Sequence, residues 1–175
     1  MGREIPAVDT RKFYDYPFLF IAEIASIHVH KFGMKPLNFI FMGRSGCGKG
    51  TQAKLLQDHL KKIDPSREIF YLETGAGVRE FNKQSSYTSE LSKKVYQSGG
   101  LQPEFLSIWV WSSLLVKFMK PDVHLIIDGT PRRLDEARAL DSAFEFYDRG
   151  KPYFIFLDVS REWSRERLLA RNRID

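Results

Sequence analysis

Cysteine is nearly absent. Cys47 is the only one in 175 residues, which excludes an internal disulfide framework and fits a reducing cytosol. No run approaches the roughly 18 apolar residues of a membrane span: Phe18 to Ala22 is broken by Glu23, and His28 and His30 follow. The opening Met1-Gly2-Arg3-Glu4-Ile5-Pro6 carries proline where a myristoylation signal needs serine or threonine, and no targeting signal is visible. There is no internal repeat and no low-complexity segment. The net charge is +5, yet the basic residues are scattered and form no block interleaved with aromatics of the kind that binds nucleic acid. Phosphate-bearing small molecules account for that bias better. A cytoplasmic monomer with no nucleic-acid or membrane partner is the expectation.

What the chain does have is a phosphate cradle. Gly43-Arg44-Ser45-Gly46-Cys47-Gly48-Lys49-Gly50-Thr51 follows the apolar run Phe39-Ile40-Phe41-Met42 and precedes a stretch with Ala53, Leu56, Leu60 and Ile63 at helical spacing. Glycines at 43, 46 and 48 let the backbone turn tightly and aim N–H groups at phosphate oxygens. Lys49 opens the helix, where the macrodipole also favours anions. Cys47, at the same helix start, is either a reactive thiol or simply a small loop residue. The hydroxyl of Thr51 comes one place later than in the common P-loop pattern, after Gly50.

With 43% hydrophobic residues the chain is long enough for one well-buried domain. Short apolar strands alternate with helical stretches from residue 38 onward, which predicts α/β architecture with a parallel sheet. Strands are expected at Asn38–Met42, Ile69–Leu72, Val123–Asp128 and Tyr153–Asp158. Helices are expected at Lys49–Ile63, Gly77–Lys83, Thr88–Gln97, Pro103–Met119, Leu134–Arg149 and Arg161–Arg171. Residues 73–121 hold more helix than a simple crossover needs and read as an insertion covering an acceptor site. Residues 1–36 stand outside the pattern as an N-terminal extension, rich in aromatics from Phe13 to Phe20; either it packs on the domain or it has no function. The strand Leu125-Ile126-Ile127 ends in Asp128, a carboxylate placed to hold Mg²⁺ directly or through its waters.

The loop G-x-x-G-x-G-K-G-T resembles that of adenylate kinases and related nucleoside monophosphate kinases, and the resemblance extends over about residues 37–175. It implies a three-layer P-loop fold with a helical acceptor-binding insertion, and phosphoryl transfer from Mg·ATP to a nucleoside monophosphate, AMP first. The alternatives are a nucleotide-binding module with little turnover, or a P-loop kinase acting on GMP or another small metabolite. By this resemblance Gly43, Ser45, Gly46, Cys47, Gly48, Lys49, Gly50 and Thr51 bind ATP, and Asp128 organises Mg²⁺. Asp128-Gly129-Thr130-Pro131-Arg132 is similar to the family's D-G-F-P-R segment, with Thr130 for the usual Phe, so Arg132 grips the acceptor phosphate. Thr74-Gly75-Ala76-Gly77-Val78-Arg79 resembles T-G-D-x-x-R, making Thr74 a contact to the acceptor base and Arg79 a second clamp, while Ala76 removes a carboxylate expected near hydrated magnesium.

Gly99-Gly100-Leu101-Gln102-Pro103-Glu104 is similar to the stretch whose backbone lines the acceptor base, so Gln102 joins the acceptor site. Glu136 stands where adenylate kinases commonly carry a Gln. An ionised carboxylate can only accept hydrogen bonds, which is expected to weaken discrimination against GMP. The run Glu166 to Arg173 looks like the helix leading into the family's mobile lid. It implies Arg167 against the donor base and Arg171 near the transferring phosphoryl, with Lys49, Arg132 and Arg171 the catalytic set. The lid begins at about 172–175, and its remainder is not in the sequence. The expectation is either a fragment of a longer product or a protein with lowered activity.

Overall fold

The computed structural model describes residues 35–170. Four parallel strands, β1 (Asn38–Gly43), β2 (Glu68–Glu73), β3 (Val123–Asp128) and β4 (Tyr153–Leu157), form one sheet in the order β2-β3-β1-β4. Among the described residues six helices accompany them: α1 (Lys49–Ile63), α2 (Thr74–Phe81), α3 (Tyr87–Gln97), α4 (Glu104–Phe118), α5 (Leu134–Phe146) and α6 (Arg161–Ala170). None of the described helices is long and apolar enough to cross a membrane.

The central strands are apolar on both sides because both sides are covered. Every residue of β3 is buried. Along β1 the side chains alternate: Phe39 and Phe41 turn to Ala53, Leu56 and Leu60 of α1, while Ile40 turns to the opposite layer, where Trp111 and Leu115 of α4 meet Leu140 and Phe144 of α5. The result is the expected three-layer α/β arrangement. A smaller cluster of Val78, Phe81, Leu106 and Val110 joins α2 to α4. The two helices approach so closely that a Cβ on Gly77 would lie 2.7 Å from Val110 Cγ1.

Element existence and order match the sequence expectation, but several bounds move. The largest change is α2, expected to start at Gly77 and found to start at Thr74, directly after β2. Gly75 and Gly77 suggest a turn, yet Gly77 serves helix packing and the chain passes from strand to helix with no loop. Helix α5 ends at Phe146 rather than Arg149, and Arg149 leaves it to bond Asn38 Oδ1 at 2.7 Å and Val123 O at 2.7 Å. Helix α4 contributes Trp111 and Leu115 to the main core, so the span 73–121 includes the layer that covers the sheet. The expectation for residues 1–34 and for Arg171 lies outside the described residues.

At the end of the sheet where the strands begin, a buried polar network replaces apolar packing. His124 Nδ1 accepts from Leu37 N at 3.0 Å, and its Nε2 lies 3.2 Å from Asp64 Oδ2. Asp64 also accepts from Ser66 at 3.0 Å and from Arg67, whose Nε reaches Asp122 at 2.8 Å. Burial holds the His124 imidazole below its ordinary pKa of 6.5 despite the attraction of Asp64. Nδ1 must remain unprotonated to accept from Leu37.

Candidate functional site

The sheet's other end opens into a cavity of about 760 Å³. It lies beyond the carboxyl ends of β1, β2 and β3, where open α/β sheets hold ligands. Ser45, Gly46, Gly48, Lys49, Gly50 and Thr51 of the loop line it together with Thr74, Arg79, Gln102, Arg132 and Glu136. Asp128 lines it too, with Oδ2 4.0 Å from a Cβ built on Gly50.

The loop is built by close approach. Gly43, Gly46 and Gly48 have φ of +137°, +81° and +95°, a region open to glycine at little cost. A Cβ on Gly46 would come 2.6 Å from Ser164 O and 2.9 Å from Leu168 Cγ, so the loop is pressed against α6. Helix α1 begins after Gly48 with no side-chain cap, leaving its first-turn N–H groups without the usual serine or aspartate partner. Lys49 folds back over the loop: Nζ donates to Gly43 O at 3.0 Å and Arg44 O at 2.9 Å and lies 3.8 Å from the buried Cys47 Sγ. Arg167 reaches the loop from α6, with its guanidinium 4.2 Å from the Trp163 ring centre and Nη1 3.9 Å from a Cβ built on Gly48.

Asp128 ends β3 beside this loop. Its Oδ2 accepts from the Tyr71 hydroxyl at 3.1 Å. Burial raises the Asp128 carboxyl above its ordinary value, while the charge of Lys49 and the Tyr71 hydrogen bond pull it down without cancelling that effect. The same burial, with the charges of Asp128 and Glu73, pushes the Tyr71 phenol well up. Tyr71 was not foreseen, because a tyrosine within a strand carries no motif; only the β2–β3 pairing brings it to Asp128.

On the acceptor side, Arg79 Nη2 donates to Glu73 Oε1 at 2.7 Å. Desolvation works against this guanidinium's charge, but the hydrogen bond and charge of Glu73, with Tyr96 beside them, keep its pKa above the ordinary value. Arg132 is exposed on the cavity wall, and its neighbour Arg133 donates from Nη1 to Gln102 O at 2.9 Å. That bond ties the loop after β3 to the lip of the insertion and engages a backbone carbonyl expected to line the base. Glu136 is buried, and its Oε2 accepts from Thr130 Oγ1 at 2.9 Å and Arg132 N at 2.7 Å. One oxygen of the carboxylate thus fastens the loop that carries Arg132. Thr130, in the place of the family's Phe, supplies one of the two donors.

Two oxygens in the lining, Thr74 Oγ1 and Gln102 Oε1, are buried with no hydrogen-bond partner, a condition native proteins rarely leave unless a ligand or water completes it. For magnesium, Asp128, Thr51 and Glu73 line the cavity with oxygen atoms of the hard kind that ion takes. These residues fit both groups. Ala76, where the family has Asp, lines a neighbouring shallow groove with Glu80 and Leu114 rather than this cavity.

Loop, strand-end carboxylate and facing arginines on a parallel three-layer sheet define a P-loop nucleotide kinase. No family model matches the chain. It is 30% identical over 139 residues to an adenylate kinase of Encephalitozoon cuniculi (strain GB-M1), across 79% of this chain and 68% of that one. It is 30% identical over 138 residues to an adenylate kinase of Prochlorococcus marinus (strain MIT 9301), covering 79% and 70%. A third, from Thermosipho melanesiensis (strain DSM 12029 / CIP 104789 / BI429), is 34% identical over 133 residues, covering 72% and 55%. The chain belongs to the adenylate kinase family, which are nucleoside monophosphate kinases. It spans little more than half the length of some of these relatives and about two thirds of others.

Proposed function

We propose that the chain transfers the terminal phosphoryl group of Mg·ATP to a nucleoside monophosphate, with AMP as acceptor. One observation carries this reading: a single cavity is lined both by a phosphate-binding loop and by Arg79 and Arg132. Two anionic phosphates facing each other across it would each meet a fixed cation.

The side chains have separate tasks. Lys49 leaves the carbonyls of Gly43 and Arg44 for the donor's phosphates, joining the N–H groups at the start of α1. Arg79 and Arg132 hold the acceptor's phosphate, a planar fork suiting its paired oxygens. Thr74, Gln102 and Glu136 border the acceptor base. Arg167, beside Gly48 of the loop, serves the donor base, and the family resemblance assigns Arg171, which lies outside the described residues, to the charge on the transferring group. An acceptor oxygen attacks the γ-phosphorus, the bond to the β,γ-bridging oxygen breaks, and its electron pair departs with ADP. Asp128, Thr51 and the loop would hold Mg²⁺, which when bound neutralises charge on the donor's phosphate oxygens. Positioning and electrostatics dominate this chemistry, so no general base is assigned.

A coupled assay for nucleoside diphosphate, run beside equilibrium ATP binding and across AMP, GMP, CMP and UMP, tests the proposal. Diphosphate formation from AMP is the expected result. Tight ATP binding without product would favour a binding module with little turnover, the second reading, for which the alanine at position 76 is the specific support. Product only from a metabolite that is not a nucleotide would overturn the acceptor assignment.

A further inference from the structure

The loss of a carboxylate at Ala76 coincides with the presence of another nearby. Glu73 ends β2 in direct register with Asp128 at the end of β3. In parallel strands register partners point to the same side of the sheet. That side is fixed by Tyr71, two residues before Glu73, whose hydroxyl bonds Asp128 and which packs on the layer of α1. Glu73 and Asp128 are therefore neighbouring carboxylates on one side of the sheet, and both line the cavity with Thr51, Glu73 at its border with the groove that holds Ala76. Strand spacing of about 4.8 Å puts their backbones within mutual electrostatic reach.

What compensates Glu73 is Arg79, at 2.7 Å. Yet Arg79 is also a clamp for the acceptor's phosphate, and one guanidinium edge cannot serve a carboxylate and a phosphate fully at once. We propose that Glu73 is the second acidic group toward the donor's magnesium, in place of the missing one at position 76, and that Arg79 neutralises it until the acceptor's phosphate draws Arg79 away. This rests on the kinase reading above. Once Arg79 turns to the phosphate, two adjacent carboxylates are left in the cavity, and a hydrated dication is the counter-charge that suits them. Acceptor binding and magnesium binding then favour one another, and by linkage the effect is reciprocal.

The test compares the wild-type chain with Glu73→Gln, a near-isosteric change at a half-exposed side chain, and with Glu73→Gln/Arg79→Ala. AMP is titrated by calorimetry without metal, and ATP affinity is measured against Mg²⁺ concentration. Removing the competing carboxylate frees Arg79, so Glu73→Gln is expected to tighten metal-free AMP binding by about two- to five-fold, the size of a partly exposed ion pair. The double variant should lose that gain. The Mg²⁺ concentration giving half of the full ATP affinity should rise several-fold in Glu73→Gln. Unchanged AMP affinity together with an unchanged Mg²⁺ requirement would overturn the role of Glu73 while leaving the kinase reading intact. A wild-type chain that binds ATP but no nucleoside monophosphate would overturn both.

Discussion

Replacing His124 with phenylalanine isolates what the polar network at the start of the strands contributes. The residue is wholly buried, and phenylalanine is close enough in shape to preserve packing, so two hydrogen bonds are the main loss. Leu37 N–H, now 3.0 Å from Nδ1, would be buried without an acceptor, at a cost of about 1–3 kcal/mol. Asp64 would keep Ser66 and Arg67 and lose one donor, about 1 kcal/mol more. The sum, about 2–4 kcal/mol, is a large share of the roughly 5–15 kcal/mol that holds a domain together. For a chain of this size it lowers Tm by about 5–15 °C.

The pH dependence follows with a definite sign. Because the folded pKa of His124 lies below the ordinary 6.5, the unfolded chain takes the proton first as pH falls. The stability linked to the neutral ring is complete above about pH 6.5 and is lost as pH drops from there toward the folded value. His124→Phe has no such loss, so the gap in Tm between the two proteins should narrow from about pH 7.5 to about pH 5. Thermal unfolding followed by circular dichroism at both values reads the two effects. A fall of less than about 2 °C, or a gap that does not narrow, would refute the assignment.

Lys49→Ala is expected to abolish turnover while lowering stability by much less than the roughly 2–5 kcal/mol of a buried Leu→Ala change, since the polar partners of Nζ, two carbonyls and Cys47 Sγ, all belong to the loop; a diphosphate assay and a thermal melt check both. Gly46→Ala adds a Cβ at 2.6 Å from Ser164 O in a backbone with φ +81°. It should cost about 1–3 kcal/mol and weaken ATP binding at least ten-fold by shifting the loop off α6, with unaltered ATP affinity the contrary outcome. In Glu136→Gln the amide oxygen must take over the bonds from Thr130 and Arg132, which turns the NH₂ group toward the cavity. The new donor suits the ring nitrogen of adenine, and the AMP-to-GMP turnover ratio should rise about five- to ten-fold, one hydrogen bond's worth. An identical ratio in both forms would remove Glu136 as a base reader.

Local chemistry was legible wherever function requires a contiguous segment. The loop from Gly43 to Thr51, the apolar strand ending at Asp128, and the run through Arg132 each announce themselves because a phosphate cradle or a strand-end carboxylate needs fixed residue types at fixed spacing. The α/β alternation and the existence of every described helix followed from periodicity, though not every bound. Pairwise relations across the fold were not legible. That Tyr71 reaches Asp128, that Glu73 stands in register with it and holds Arg79, and that His124 and Asp64 meet inside the domain depend on which strands lie side by side, and β2 pairs with β3 rather than with its sequence neighbour β1. The start of α2 at Thr74 was hidden because a glycine reads as a turn from local propensity alone, whereas Gly77 is needed for the contact with Val110. Glu136 shows both sides: its type and position follow from the sequence, but burial beside Thr130 and Arg132 decides which of its oxygens remains for a ligand.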